Sequence, residues 1–356
     1  MPGPFCYSDR LMLRWAFHRW EQSIHNRTTD RVVRDFSWGL DWLPVQPDSA
    51  GRAPADVLLA YAEQALADSS AFFAVTDPPS WDLDHRGHLT FESQLVTPHP
   101  ENNVVHARLF RARDDRGRAV VVLPQWNADV GGHVGLCQLF NRVGLTALRL
   151  SLPYHDWRMP PELRRADYIV SSNVGRTLQV CRQAVLDARR AVAWLASQGY
   201  TSIGICGTSL GSCLAMLTAA HEPRIAAVAL NHISPFFADV VWDGLSTRHV
   251  REALDGHVDL EALRRIWLPI SPQSYLERVR QTRTLLIYAQ YDLTFPLQLS
   301  RSLVREFRER QIPHQLAVLP CGHYSTGMTP FKYLDGYWLA RFLMKALPAR
   351  TQATGS

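Results

Sequence analysis

Six short apolar runs constrain this chain more than any other feature: RAVVVLPQ, TALRLSLP, SIGIC, IAAVALNH, TLLIYAQ and HQLAVLP, spread from residue 118 to residue 320. Each is rich in β-branched residues and nearly continuous rather than alternating, the pattern of a strand buried on both faces. Between them lie longer segments with a helical apolar period. RTLQVCRQAVLDARRAVAWLASQG sets Val180, Ala184, Ala188, Ala191, Val192 and Leu195 on one face and ends at Gly199, as a glycine-capped helix does. PLQLSRSLVREFRER opens with Pro296 at the first helical position, where a missing N–H costs nothing. Strands alternating with helices of this length predict an α/β chain with a mostly parallel central sheet and helices on both faces. In such a sheet ligands meet the carboxyl ends of the strands. Upstream, FESQLVTP and NVVHARLFRARDD read as two antiparallel strands around Asn102.

The flanks differ in texture. Residues 1–90 are rich in Trp, His, Asp and Pro and hold two helical stretches, LMLRWAFHRWEQS and ADVLLAYAEQALADSS, so they read as an N-terminal helical extension. In the first stretch Leu11, Trp15, Phe17 and Trp20 form a stripe, expected to pack on the main domain rather than lie on a membrane. The segment TDPPSWDLDHRGHL (76–89) reads as the linker that closes the extension. The core is expected over residues 91–232 and 282–347. Residues 233–281 contain no strand-like run, only amphipathic pieces such as STRHVREALDG and LEALRRIWLPI. Inserted after a strand's carboxyl end, they are expected to form a helical lid over the functional edge, with Phe236, Phe237, Trp242 and Trp267 as an apolar ceiling. Residues 348–356 read as a flexible tail.

Composition narrows the function classes. The chain has 356 residues, 46% hydrophobic and 20% charged, as in an ordinary globular protein. Its net charge of +5 does not point to nucleic acid, because the basic residues are scattered and no run of five like charges occurs. Six cysteines show neither CxxC nor any paired spacing, so neither zinc nor a disulfide framework is expected, and a reducing, cytoplasmic setting is the default. No secretory leader and no apolar stretch long enough to span a bilayer are expected. A homodimer remains compatible with all of this.

The chemistry concentrates in ICGTSLGS (205–212). Gly207-Thr208-Ser209-Leu210-Gly211 follows the strand SIGIC and precedes the helical pattern LGSCLAMLTAAHEP, a strand, sharp turn and helix that would hold the Ser209 hydroxyl out above the sheet. A serine is a poor nucleophile at neutral pH and needs a base, which in turn needs an orienting carboxylate. Asp292, after TLLIYAQ, and His323, after HQLAVLP, each fall at a strand's carboxyl end in the required chain order. The rivals are weaker. His314 lies at the wrong end of its strand and His232 comes too early, whereas Asp239 and Asp243 are remote. Oxyanion donors are expected from the backbone N–H of Leu210 and from the loop after VVVLPQ, at Trp126 or Gln125.

These motifs resemble the α/β-hydrolase superfamily, and more loosely its bacterial carboxylesterase-like members, over residues 91–347. The resemblance implies a cofactor-independent serine hydrolase acting on a small-molecule carboxylic ester through an acyl-enzyme. Amide or peptide cleavage, acyl transfer, or a retired site serving as a binding pocket are the other readings. No HGGG precedes the elbow, where LPQWNAD stands instead, and Ser212 occupies a place that is glycine in many polyester hydrolases and oligopeptidases of the fold. Tyr154, His155, Asp156, Trp157 and Arg158 follow another strand and read either as a substrate pocket, together with Phe236 and Trp242, or as a polar network anchoring a loop. His85 and His88 form an HxxH without a third ligand nearby, and no metal site is expected.

Overall fold

A nine-stranded sheet organises the molecule, in the order β1-β2-β3-β5-β4-β6-β7-β8-β9. The computed structural model describes residues 7–44, 51–78 and 80–350, so Cys6 and most of the C-terminal tail lie outside it. The strands are β1 (Asp82–Leu83), β2 (His88–Glu92), β3 (Val104–Phe110), β4 (Arg118–Leu123), β5 (Thr146–Leu150), β6 (Ser202–Thr208), β7 (Ile225–Asn231), β8 (Arg283–Ala289) and β9 (Gln315–Leu319). The helices are α1 (Tyr7–Asn26), α2 (Pro54–Ala67), α3 (Ser69–Phe72), α4 (Val134–Arg142), α5 (Val174–Ser197), α6 (Leu210–His221), α7 (Phe237–Asp243), α8 (Arg248–Leu254), α9 (Leu260–Ile266), α10 (Leu297–Glu309) and α11 (Phe331–Ala346). β1, β2 and β3 pair antiparallel, β3 also runs antiparallel to β5, and the remaining neighbours are parallel. The six apolar runs are β4 to β9.

Their continuous hydrophobicity has the expected cause. On β4, Ala119, Val121 and Leu123 pack into one core with α5 and α6, while Val120 and Val122 face a second core built from α4 and α11. A strand covered on both faces cannot alternate polar and apolar residues. α5 ends as predicted, with Gly199 at a φ of 87° just past its cap. α10 starts one residue later than predicted, with Pro296 as its cap.

Two local expectations change. The segment read as a linker contains β1 and the start of β2, because HLTFE alternates inward Leu89 and Phe91 with outward neighbours and extends the sheet antiparallel to β3. On α1, Leu11 and Trp15 are exposed, whereas Phe17 and Trp20 pack against Tyr291 and Phe331. The buried face of α1 thus runs through Phe17, Glu21 and His25, four residues apart. Residues 233–281 leave the sheet after β7 and return at β8, carrying α7, α8 and α9.

Candidate active site

Ser209 occupies the turn between β6 and α6 with φ 57° and ψ −121°, a conformation that costs an L-residue on the order of 1–3 kcal/mol. The glycines on either side explain how the turn closes. A side chain on Gly207 would collide with the Gly211 carbonyl, and one on Gly211 would strike the backbone of Leu123 and Pro124. Ser209 N–H donates to Asn231 O at 2.7 Å, tying the turn to the end of β7. Ser212 adds a second tie, its hydroxyl 2.6 Å from both Ser209 O and His232 O. The serine that replaces a glycine therefore braces the elbow.

Asp292, after β8, is buried and accepts four hydrogen bonds. Thr294 and Phe295 N–H donate to Oδ1 at 2.8 and 2.7 Å. His323 Nδ1 donates to Oδ2 at 2.9 Å, and so does His232 Nδ1 at 2.9 Å. Burial works against ionisation, but the charge of His323 and the donated hydrogen bonds prevail and hold Asp292 well below the usual carboxylate range. For His323, burial lowers basicity while the Asp292 charge and hydrogen bond raise it, with a net shift above 6.5. His232 shifts down, because burial outweighs its bond to Asp292. The two imidazoles thus differ: His232 stays neutral, and His323 gains basicity with Nε2 free of partners among the described residues. Phe295 stacks on the His323 ring at 5.5 Å.

Sequence reasoning ruled out His232 as the base and missed it as a partner. Its position at the carboxyl end of β7 was the available signal. A second omission lies on α1. Glu21 is fully buried and accepts the N–H groups of Tyr324 and Ser325 at 2.8 and 2.9 Å, gripping the loop that carries His323. A side chain on Gly322 would collide with the Glu21 carboxyl group, which accounts for the glycine in CGH. His25 reaches Tyr324 Oη at 3.0 Å, and Tyr324 continues to Ser246 at 2.6 Å, so the inserted segment joins the same network.

Ser209, Leu210, His232 and His323 open onto one cavity of about 1540 Å³. Gln125 and Trp126 line it too. The backbone N–H of Asn127 is engaged by His155 Nε2 at 3.0 Å, whereas those of Gln125, Trp126 and Leu210 reach no acceptor among the described residues. No hydrogen bond joins Ser209 Oγ to His323 in this structure, an arrangement common before substrate arrives.

The predicted pocket needs correction. Phe236 lines the cavity, but Tyr154, His155 and Trp242 do not. Tyr154 is fully buried with its hydroxyl 3.0 Å from His99 Nδ1. His155 donates from Nδ1 to Pro153 O at 2.9 Å and holds Asn127 through Nε2, so it fixes the loop of Trp126 from behind. Arg158 and Asp187 form a fully buried ion pair at 2.9 Å, and the loop is anchored by this network rather than offered to a ligand. Trp242 lies under Arg251, and Trp267 sits in the core with Nε1 donating to Val174 O at 3.0 Å. His88 meets His106 at 3.0 Å. Among the described residues, His232, Asp292 and His323 alone cluster as three metal-ligand types, but both imidazoles already spend an N–H on the carboxylate.

Sheet order, elbow and strand-end residues define a class of fold: the chain has the α/β-hydrolase architecture. Comparisons with known proteins narrow this modestly. The sequence profile of the prolyl oligopeptidase family matches residues 178–335. Acetyl xylan esterase from Paenibacillus sp. R4 superposes with a TM-score of 0.57 at 14% identity, covering 85% of this chain and 97% of that one. Acetyl xylan esterase 1 from Thermoanaerobacterium sp. JW/SL YS485 gives 0.54 at 14%, covering 83% and 94%. Acylaminoacyl peptidase from Pyrococcus horikoshii gives 0.57 at 13%, covering 78% of this chain and 50% of the peptidase. No curated protein matches by sequence. No helix among the described residues is long and apolar enough to cross a membrane.

Proposed function

We propose that this protein is a serine hydrolase that cleaves carboxylic esters, with Ser209 as nucleophile, His323 as general base and Asp292 as its orienting acid. The observation that carries the reading is the His323–Asp292 hydrogen bond of 2.9 Å at the wall of the cavity into which the strained Ser209 elbow also opens. Ser209 attacks the ester carbonyl while His323 Nε2 takes its proton, and Asp292 stabilises the imidazolium that forms. The N–H groups of Leu210 and Trp126 receive the oxyanion, each worth about 3 kcal/mol in comparable sites. Collapse expels the alcohol with the proton from His323. Water, activated by the same imidazole, then hydrolyses the acyl-enzyme, so no group from outside the chain is consumed. Residues 233–281 serve as the lid, supported by Phe236, Phe237, Val240 and Val241 on the cavity wall. The buried free cysteines Cys137, Cys181, Cys206, Cys213 and Cys321 agree with a reducing cytoplasm.

The prolyl oligopeptidase match favours a second reading, amide cleavage by the same residues. A fluorophosphonate probe and paired p-nitrophenyl esters and p-nitroanilides, given to wild type and Ser209→Ala, test both. Labelling and ester turnover that vanish in the variant support the proposal. Turnover of anilides alone would replace it by the second reading, and wild-type turnover in Ser209→Ala would refute the nucleophile.

A further inference from the structure

Away from the lid, the cavity continues as a groove between α4 and α11. Leu136, Leu139, Val143, Ala340 and Met344 give it an apolar floor. At its inner end Gly336 lets the helices close up, since a Cβ there would lie 2.9 Å from Leu139. The same end is tied to the nucleophile: Asp335 accepts from Asn231 Nδ2 at 3.0 Å, and Asn231 O receives the Ser209 N–H at 2.7 Å. From Asp335 to Lys345 along α11 is about 15 Å at the helical rise per residue. Charge along this stretch is one-sided. Arg142, Arg341 and Lys345 line it, and Lys332 lines the cavity about one turn before Asp335; Lys332 and Lys345 are the chain's two lysines. Arg341 donates to the Tyr337 hydroxyl and Lys332 lies over the Tyr333 ring at 5.1 Å. None of the four forms an ion pair with a carboxylate among the described residues. Among the cavity-lining residues of α4 and α11, Asp335 is the one acid; it sits at the inner end, linked to Ser209 through Asn231.

Apolar floor, inner carboxylate and outer cations together select a ligand with a long apolar arm and a remote negative charge. We propose that the groove binds one arm of an ester that ends in an anionic group, a carboxylate or a phosphate, held by Arg142, Arg341 and Lys345. The assignment rests on the esterase reading of Ser209. It names a substrate class that this reading leaves open.

The test compares p-nitrophenyl hemi-esters of dicarboxylic acids, from glutarate to hexadecanedioate, with their neutral methyl esters. ω-Acetoxy fatty acids against their methyl esters cover the other arm. The anionic member should gain over its neutral partner in kcat/KM as the arm lengthens, reaching about tenfold at low salt, the effect of a few partly screened contacts. Added salt should shrink the ratio, because these cations are exposed. In Arg341→Glu/Lys345→Glu the ratio should fall below one. A ratio near one at every length in both series overturns the proposal. So does saturable binding to phosphatidylglycerol vesicles without discrimination among monomeric esters, which would assign the groove to a lipid surface. If Ser209 takes no fluorophosphonate and no ester turns over, the esterase reading fails, and the groove is then judged by calorimetry with hexadecanedioate. Binding that the double variant loses sustains the anionic groove, and absence of binding in wild type refutes it.

Discussion

Removing the His232 side chain should move the pH dependence of catalysis without moving the base. Asp292 Oδ2 accepts equally long hydrogen bonds of 2.9 Å from His232 and His323. The N–H of neutral His232 withdraws charge from the carboxylate that would otherwise act on His323 alone. A hydrogen bond to a charged group contributes about 1.5–3 kcal/mol. The bond survives in both protonation states of His323, so only a fraction of it, about a third to a half, distinguishes them. At about 1.36 kcal/mol per tenfold change, that fraction favours protonated His323 by about threefold to tenfold in His232→Ala. The sign follows from the base's role. Neutral His323 is active, its pKa already lies above 6.5, and kcat/KM falls as pH falls through that value. The acid limb should therefore begin above 6.5 in wild type and at still higher pH in His232→Ala. His232→Gln, which retains an N–H donor, should restore much of the wild-type limb. The high-pH plateau should drop by less than about tenfold, because Thr294 and Phe295 still hold Oδ1. The assay is kcat/KM for p-nitrophenyl butyrate between pH 5 and 9. An Ala variant whose limb coincides with that of wild type would refute the shared-carboxylate argument.

Two further outcomes are expected. Glu21→Ala should lower kcat by one to two orders of magnitude, since two buried N–H groups beside His323 lose their acceptor at about 1–3 kcal/mol each, and Glu21→Gln should recover part of it. An Ala variant with full kcat and unchanged thermal stability would sink this. Asp335→Asn should stabilise the fold at pH 8 and not at pH 4. Burial pushes the Asp335 carboxyl up to about 7 against a partial opposing effect of Asn231, so the folded state favours the protonated form. Stability is therefore lost as pH rises from the unfolded value through 7, and it is equal for both proteins below it. The group is partly exposed, which limits the gain to a few degrees in Tm by calorimetry at the two pH values.

What the sequence made legible was whatever a local pattern encodes. Ser209, Asp292 and His323 could be placed together because each follows an apolar strand run, and parallel strands deliver their carboxyl ends to one edge regardless of loop detail. The same logic left Tyr154 and His155 open between a pocket and an anchoring network, and the structure shows the network. They also follow a strand, β5, but the loop turns them inward to meet His99 and the Trp126 loop, and only tertiary partners such as His99 and Asn127 reveal that. Trp242, read as a pocket residue, was misplaced for a related reason, whereas the packing role open to Trp267 is the one it takes. An amphipathic segment has one apolar face, and the sequence does not say whether it meets a cavity or, as for Trp267, the backbone of α5.

The N-terminal extension illustrates the deeper limit. From residues alone, α1 is an accessory helix whose apolar stripe was read through Leu11 and Trp15. In the fold those side chains face outward, and the stripe that packs carries a carboxylate at its centre. A buried Glu is expensive unless its oxygens are satisfied, and the available donors are the backbone N–H groups of Tyr324 and Ser325, directly after His323. The helix therefore gains its place by completing the histidine loop, and the loop gains its geometry from a residue about 300 positions away. Such mutual satisfaction has no period and no spacing. It follows that the extension is no dispensable flank: removing α1 should loosen the loop that carries His323, because Glu21 and His25 hold it.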